Sequence, residues 1–113
     1  MKAVLPIRTY SLTNQREHWA KKARRAKQER GWATLTVNGA GIRKLGLPIT
    51  VTLTRVAPRT LDDDNLRGAL KSIRDGIADC LGVDDRDARV TWRYAQRRGS
   101  PREYAVDIEA VPG

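Results

Sequence analysis

The chain has 113 residues, of which 40% are hydrophobic, 31% charged and 5% aromatic, with no Phe; that length suits one folded unit with a modest core and excludes a two-domain enzyme. Its 22 Lys and Arg against 13 Asp and Glu give a net charge of +9, which favours a polyanion such as nucleic acid over an anionic membrane as partner. One Cys (Cys80) and one His (His18) exclude an internal disulfide and a Cys/His zinc site, so any metal must rest on carboxylates.

Residues 3 to 8 read as a short first strand, with Pro6 marking an edge or an interruption. Asn14 and Glu17 have capping-box spacing and predict a helix from there to Arg30 or beyond. Its thin apolar stripe would be Trp19, Ala23 and Ala26, with Lys and Arg around it. Asn38 to Gly46, with three glycines, reads as a loop. From Pro48 to Val56 the alternation of Ile49, Val51 and Leu53 with Thr50, Thr52 and Thr54 predicts a half-buried strand.

Leu66, Leu70, Ile73, Ile77 and Leu81 then recur every three or four residues, as on a helix with one face on a sheet, and Gly82 provides its C-cap. Val90, Trp92 and Tyr94 predict a third strand, and Tyr104, Val106 and Ile108 a fourth. The Arg98-Gly99-Ser100-Pro101 turn between them predicts a hairpin. The expected fold is α+β, or mixed α/β, in one domain over 1–113: a single sheet with two helices packed against it, in the order strand, helix, strand, helix, strand, strand. Trp19, Trp32, Trp92 and Tyr94 are expected to pack, Cys80 to act as a small buried hydrophobe, and His18 to be solvated. No run of 18 apolar residues and no signal-peptide pattern occurs. The expectation is therefore a cytoplasmic protein without a membrane partner.

The charge is unevenly spread. Residues 62 to 87 hold eight Asp against Arg67, Lys71, Arg74 and Arg86, a net charge of −4 that leaves +13 for the remainder. The basic excess gathers in 16–30, with Lys21, Lys22, Arg24 and Arg25, and in 89–102, with Arg93, Arg97 and Arg98; these and Arg67 are the candidate nucleic-acid contacts. Asp62-Asp63-Asp64-Asn65 opens the second helix and Asp84-Asp85 follows its end. One Asp would cap the helix, for about 0.5–2 kcal/mol. Three in succession repel one another unless a divalent cation turns repulsion into coordination, so capping and metal binding both stand open on these residues alone. A helix of about 17 residues spans about 25 Å, so Asp85 meets Asp64 only if the chain folds back. Lys71 and Asp75 have the spacing of a surface pair worth about 0.3 kcal/mol.

The string Leu61-Asp62-Asp63-Asp64-Asn65-Leu66, then Lys71, then Gly82-Val83-Asp84-Asp85, resembles the RusA family of Holliday junction resolvases, small phage and bacterial endodeoxyribonucleases. The match covers about residues 56 to 98, and the basic helix of 14–30 is compatible. The resemblance implies Asp62, Asp64 and Asp85 as catalytic metal ligands for Mg²⁺, with Mn²⁺ as a substitute, and no small-molecule cofactor. It implies Lys71 as the catalytic lysine. The family's lysine sits where this chain has Gly68; Lys71-Ser72-Ile73-Arg74-Asp75 matches the family's Lys-x-x-x-Asp after three inserted residues, nearly one helical turn, and Arg67 competes for the role. A homodimer acting on branched DNA in recombination and repair is further implied, in a bacterial or phage-infected cell and associated with the nucleoid. The alternatives are a non-catalytic basic nucleic-acid-binding module and a less selective branched-DNA nuclease.

Overall fold

The structure is a computed structural model that describes residues 1–10 and 18–113. The proposed capping box of Asn14 and Glu17 lies outside the described residues. The elements are β1 (Lys2–Leu5), α1 (Trp19–Gly39), a short 3-10 turn (Ile42–Leu45), β2 (Ile49–Ala57), α2 (Asp63–Leu81), β3 (Val90–Arg98) and β4 (Ala105–Pro112). This is the expected α+β architecture, one four-stranded sheet with two helices, in the sheet order β1-β4-β2-β3. β1 stops one residue before Pro6 and is an edge strand, where a missing N–H is tolerated.

The alternating residues face the core as expected: Ile49, Val51, Leu53, Val106 and Ile108 are buried against Leu66, Leu70, Ile73 and Ile77 of α2. The Thr face of β2 is the partly exposed one. Gly82 ends α2 in the left-handed conformation at φ 69°, its N–H donating to Asp79 O. The stretch expected as a loop at Asn38–Gly46 contains more order: α1 runs through Gly31 to Gly39, and the following single turn buries Ile42 completely.

The β3–β4 hairpin is not formed. β3 pairs in parallel with β2, and β4 pairs antiparallel with β2 on its other side and with β1. Alternation identifies a strand without naming its neighbour. Here α2, of 19 residues and about 28 Å, is as long as the nine extended residues of β2 at about 30 Å, so it returns the chain to the start of β2 and β3 repeats its direction. Residues 99–104 then cross the end of β2, held by Gly99 N–H donating to Ala57 O at 2.8 Å and Arg98 Nε donating to Pro58 O at 3.2 Å.

The expected stripe of α1 is also corrected. Trp19 is 75% and Trp32 45% exposed, and Ala23 is exposed; Glu29, Ala33 and Val37 are buried instead. At the point of closest approach the contact is made by small residues, Ala33 and Gly76, because α1 and α2 approach backbone to backbone. A Cβ on Gly76 would lie 2.2 Å from Arg30 O and 3.0 Å from Ala33 Cβ. Across this contact Thr34 Oγ1 donates to Gly76 O at 2.7 Å, and Arg30 makes a two-pronged ion pair with Asp79 at 2.5 and 2.7 Å.

Two glycines therefore have opposite roles. Gly76→Ala should lower the unfolding free energy by about 1–3 kcal/mol through overpacking. Gly31→Ala, in a helix interior with nothing within 4 Å of the added Cβ, should raise it by about 0.5–1 kcal/mol. Urea unfolding of both variants checks the signs.

The Arg30 hydrogen bonds hold the Asp79 carboxyl below its ordinary range. Because the folded value is the lower one, the stabilisation is complete above the unfolded value of about 3.9 and is lost as pH falls through the folded value. Asp79→Asn should consequently flatten the fall of stability between about pH 5 and pH 2. An unchanged acid limb in thermal melts would rule this linkage out.

Candidate functional site

The acids of α2 separate into distinct environments. Asp62 is the N-cap, its Oδ1 accepting the Asn65 N–H at 2.9 Å. Asp63 pairs with Arg67 at 3.2 Å. Asp64 is exposed on the first turn and heads a face that continues through Arg67, Gly68 and Lys71. Lys71 Nζ donates to Asp75 Oδ2 at 3.0 Å, forming the surface pair its spacing predicts.

Beyond Gly82 the chain does fold back along α2. Asp85 lines a hollow of about 260 Å³ with Arg67, Gly68, Lys71, Arg74 and Tyr94. Gly68 and Lys71 stand about 6 and about 10 Å along the helix axis from Asp64. Asp85 is thus brought to the Asp64 face, one to two turns down it. The three acids do not close round a point: among the described residues no three Asp, Glu, His or Cys side chains stand close enough to hold one ion. The carboxylate oxygens are nevertheless the donors a hard divalent cation takes.

Arg74 fixes the returning segment. Its Nη2 donates to Asp85 O at 2.6 Å and its Nη1 to Tyr94 Oη at 2.7 Å, while its guanidinium lies 4.9 Å from the Trp92 ring centre. Arg67 covers the Tyr94 ring at 5.3 Å. Trp92 and Tyr94 are accordingly half-buried supports under two arginines, in the packing role expected of them. Neither Arg74 Nε nor Trp92 Nε1 has a hydrogen-bond partner among the described residues, although both are buried.

Next to Asp85, Asp84 is held below the usual carboxylate range chiefly by the Arg86 N–H, which it accepts at 2.9 Å. Asp87 is brought down to about 2 by the Arg89 guanidinium and N–H. Burial pushes the Cys80 thiol up, as suits a half-buried, unreactive side chain.

The basic candidates do not form one surface. Lys21, Arg24 and Arg25 line a groove of about 540 Å³ with Tyr10 and Gln28, and Lys22 is half-buried beside them. Arg93 and Arg97 alternate with Trp92 and Tyr94 and so project from the opposite face of the sheet. There Arg97 lies 3.7 Å from Asp107 and 3.8 Å from Glu103. Arg98 is tied to the turn after β2.

Sequence reasoning missed Arg55. It is in phase with Ile49, Val51 and Leu53 and only 7% exposed, and a charged residue in the buried phase of a strand was the available signal. It also missed Arg74, which the helical periodicity leaves between core and surface.

No family model matches the sequence. Over 82 residues the chain is 42% identical to an uncharacterized protein of Xylella fastidiosa (strain Temecula1 / ATCC 700964), a match that covers 65% of this chain and 52% of that protein. The chain spans about half the length of the relative it matches. Among the described residues no helix is long and apolar enough to cross a membrane.

Arg74→Ala should release the segment that carries Asp85. The loss of charge-assisted hydrogen bonds predicts about 2 kcal/mol lower stability. Faster amide exchange confined to 83–87 and the strand around Tyr94 is the distinguishing readout, and protection equal to wild type would refute the tether.

Proposed function

We propose that the chain is a Mg²⁺-dependent, structure-selective endodeoxyribonuclease that resolves four-way junctions by paired, symmetric nicks, acting as a homodimer. The observation that carries this reading is the return of Asp85 to the Arg67, Gly68 and Lys71 face of α2, which Asp64 heads. Acids from both ends of the helix thereby border one surface. Asp62, Asp64 and Asp85 are the residues that would hold the cation. They would have to draw together to do so, since as they stand no three acids among the described residues meet at one point. A bound divalent ion would supply Lewis acidity and an activated water for in-line displacement at phosphorus.

The chain's own residues contribute position and charge. Asp62, as the N-cap, and Asp64, in the first turn, sit at the rigid head of α2. Arg67 and Lys71, about one and two turns further, set positive charge beside the same face, where it offsets the charge that builds on a phosphate under attack. The Arg74 bond to the Asp85 carbonyl holds the third acid in place. Hydrolysis in this sense leaves 5′-phosphate and 3′-hydroxyl ends, and a two-fold dimer offers one site to each of two opposed strands.

A non-catalytic basic nucleic-acid-binding module is favoured by a different observation: Asp62 caps α2, Asp63 pairs with Arg67, and among the described residues no three acids share a point. One assay separates the readings. With Mg²⁺ or Mn²⁺ the wild type should nick a four-way junction in preference to linear duplex. Asp64→Asn should lose at least about a hundredfold in rate, the loss expected on removing a group that acts only in the transition state, with junction binding retained. Lys71→Ala and Arg67→Ala, made separately, identify which cation assists. A wild-type chain that binds junctions and cuts none of these DNAs leaves the binding module as the function.

A further inference from the structure

A pocket of about 440 Å³ opens at the carboxyl end of β2, beside the segment that follows β1, and is lined by Arg8, Thr9, Tyr10, Arg55, Arg59 and Tyr104, with no acid among the described residues of its wall. Its most buried charge is Arg55, 7% exposed. Arg55 Nε donates to Thr9 Oγ1 at 3.0 Å and its Nη1 to Arg59 O at 2.8 Å. Both acceptors are neutral, and no carboxylate pairs with this guanidinium among the described residues. Desolvation, and then repulsion from Arg8, lower its pKa. An unpaired charge is costly to bury. The site therefore holds positive charge that no described residue neutralises.

The mouth of the pocket is equally ordered. The Arg8 guanidinium lies 4.6 Å from the Tyr104 ring centre and 5.2 Å from that of Tyr10, and Arg25 covers Tyr10 at 4.3 Å. Stacking covers the faces of a guanidinium and leaves its in-plane N–H groups for an oxyanion. Leu61, which shares the pocket wall, directly precedes the Asp62–Asp64 head of α2. It is held at both backbone groups by Gln96, at 2.9 and 2.7 Å.

We propose that this pocket is an oxyanion subsite that takes one phosphodiester of the nucleic-acid strand whose neighbouring phosphate lies at the head of α2. Arg55 forms its floor, Arg8 its stacked wall and Arg59 its rim. A DNA phosphate supplies the missing counter-charge and two or more acceptor oxygens for the planar arginine forks. The proposal rests on the reading of the chain as a DNA-acting protein, and it is tested through binding so that a failure to cut and a failure of the pocket remain separate results.

The full chain is titrated with a labelled four-way junction in EDTA, at several salt concentrations between about 50 and 200 mM. Arg55→Gln and Arg8→Gln should each weaken binding about tenfold, as expected for the loss of one charge-assisted contact, and should reduce the slope of log K against log salt by about 0.9. Lys44→Gln, on the turn before β2 at the opposite end of that strand, removes the same charge and should leave binding within about twofold, as one exposed charge away from a contact should. Should Arg55→Gln fail to fold, the exposed Arg8 variant carries the test alone. Wild-type affinity and slope in the arginine variants would overturn the proposal. So would a pocket that inorganic phosphate stabilises in thermal melts while Arg8→Gln binds junctions normally, since the ligand would then be the free anion. A wild type that binds with the expected slope and never nicks sinks the nuclease and leaves the subsite standing.

Discussion

The match in length between α2 and β2 sets the position of every candidate group. Nineteen helical residues cover nearly the distance of nine extended ones, so α2 begins at the carboxyl end of β2 and delivers the chain back to the amino end. That places the Asp62–Asp64 head beside the carboxyl ends of the parallel strands β1, β2 and β3, the edge of an open sheet where ligands usually sit. It also forces residues 83–89 to run between the foot of α2 and the start of β3, which is why Asp85 can lie against the middle of the helix. The close α1–α2 contact at Gly76 keeps this helix in place, because two backbones in contact leave no room for it to slide.

The same geometry explains how a chain of net charge +9 tolerates eight Asp in one segment. Several are spent locally: Asp62 on a helix N-terminus, Asp63 on Arg67, Asp75 on Lys71, Asp79 on Arg30 and Asp87 on Arg89. Asp84 accepts the Arg86 N–H. Asp64 and Asp85 remain, without an ion pair among the described residues, and both face the surface that carries Arg67 and Lys71. Exposed pairs of this kind contribute little to stability. The segment is better understood as arranging charge around one helix than as holding the fold together.

Legibility followed the strength of each local pattern. The α2 register could be read because five large apolar residues repeat at helical spacing and a glycine follows, and the structure buries that face and caps it with Gly82. β2 and β4 could be read because alternation survives when one face is buried. The sheet order could not be read, since Val90–Tyr94 and Tyr104–Ile108 carry no label that distinguishes a neighbour from a strand two places away. α1 was misphased because Trp19 weighs heavily in any hydrophobic count, whereas its true contact uses Ala33 and the backbone around Gly76, residues that such counts score lightly. The acids were visible as a motif. Their spacing in three dimensions was not, because it depends on an arginine, Arg74, whose bonds to Asp85 and Tyr94 join residues 11 and 20 positions away.

Charge at the carboxyl end of the sheet has two signs in adjacent places, and this constrains what can bind there. A polyanion drawn to Arg8, Arg55 and Arg59 meets the carboxylates of Asp62, Asp63 and Asp64 a few residues along the chain. Without a cation, those carboxylates repel the phosphate that the arginines attract. With one, they become part of the attraction, as acids that coordinate a divalent ion are no longer net repulsive to its phosphate ligand. This reversal separates the two proposed readings. A purely cationic binder would not use it, whereas the proposed nuclease would draw affinity from the uncleaved phosphate and an ion-dependent foothold for the next phosphate from the acid face.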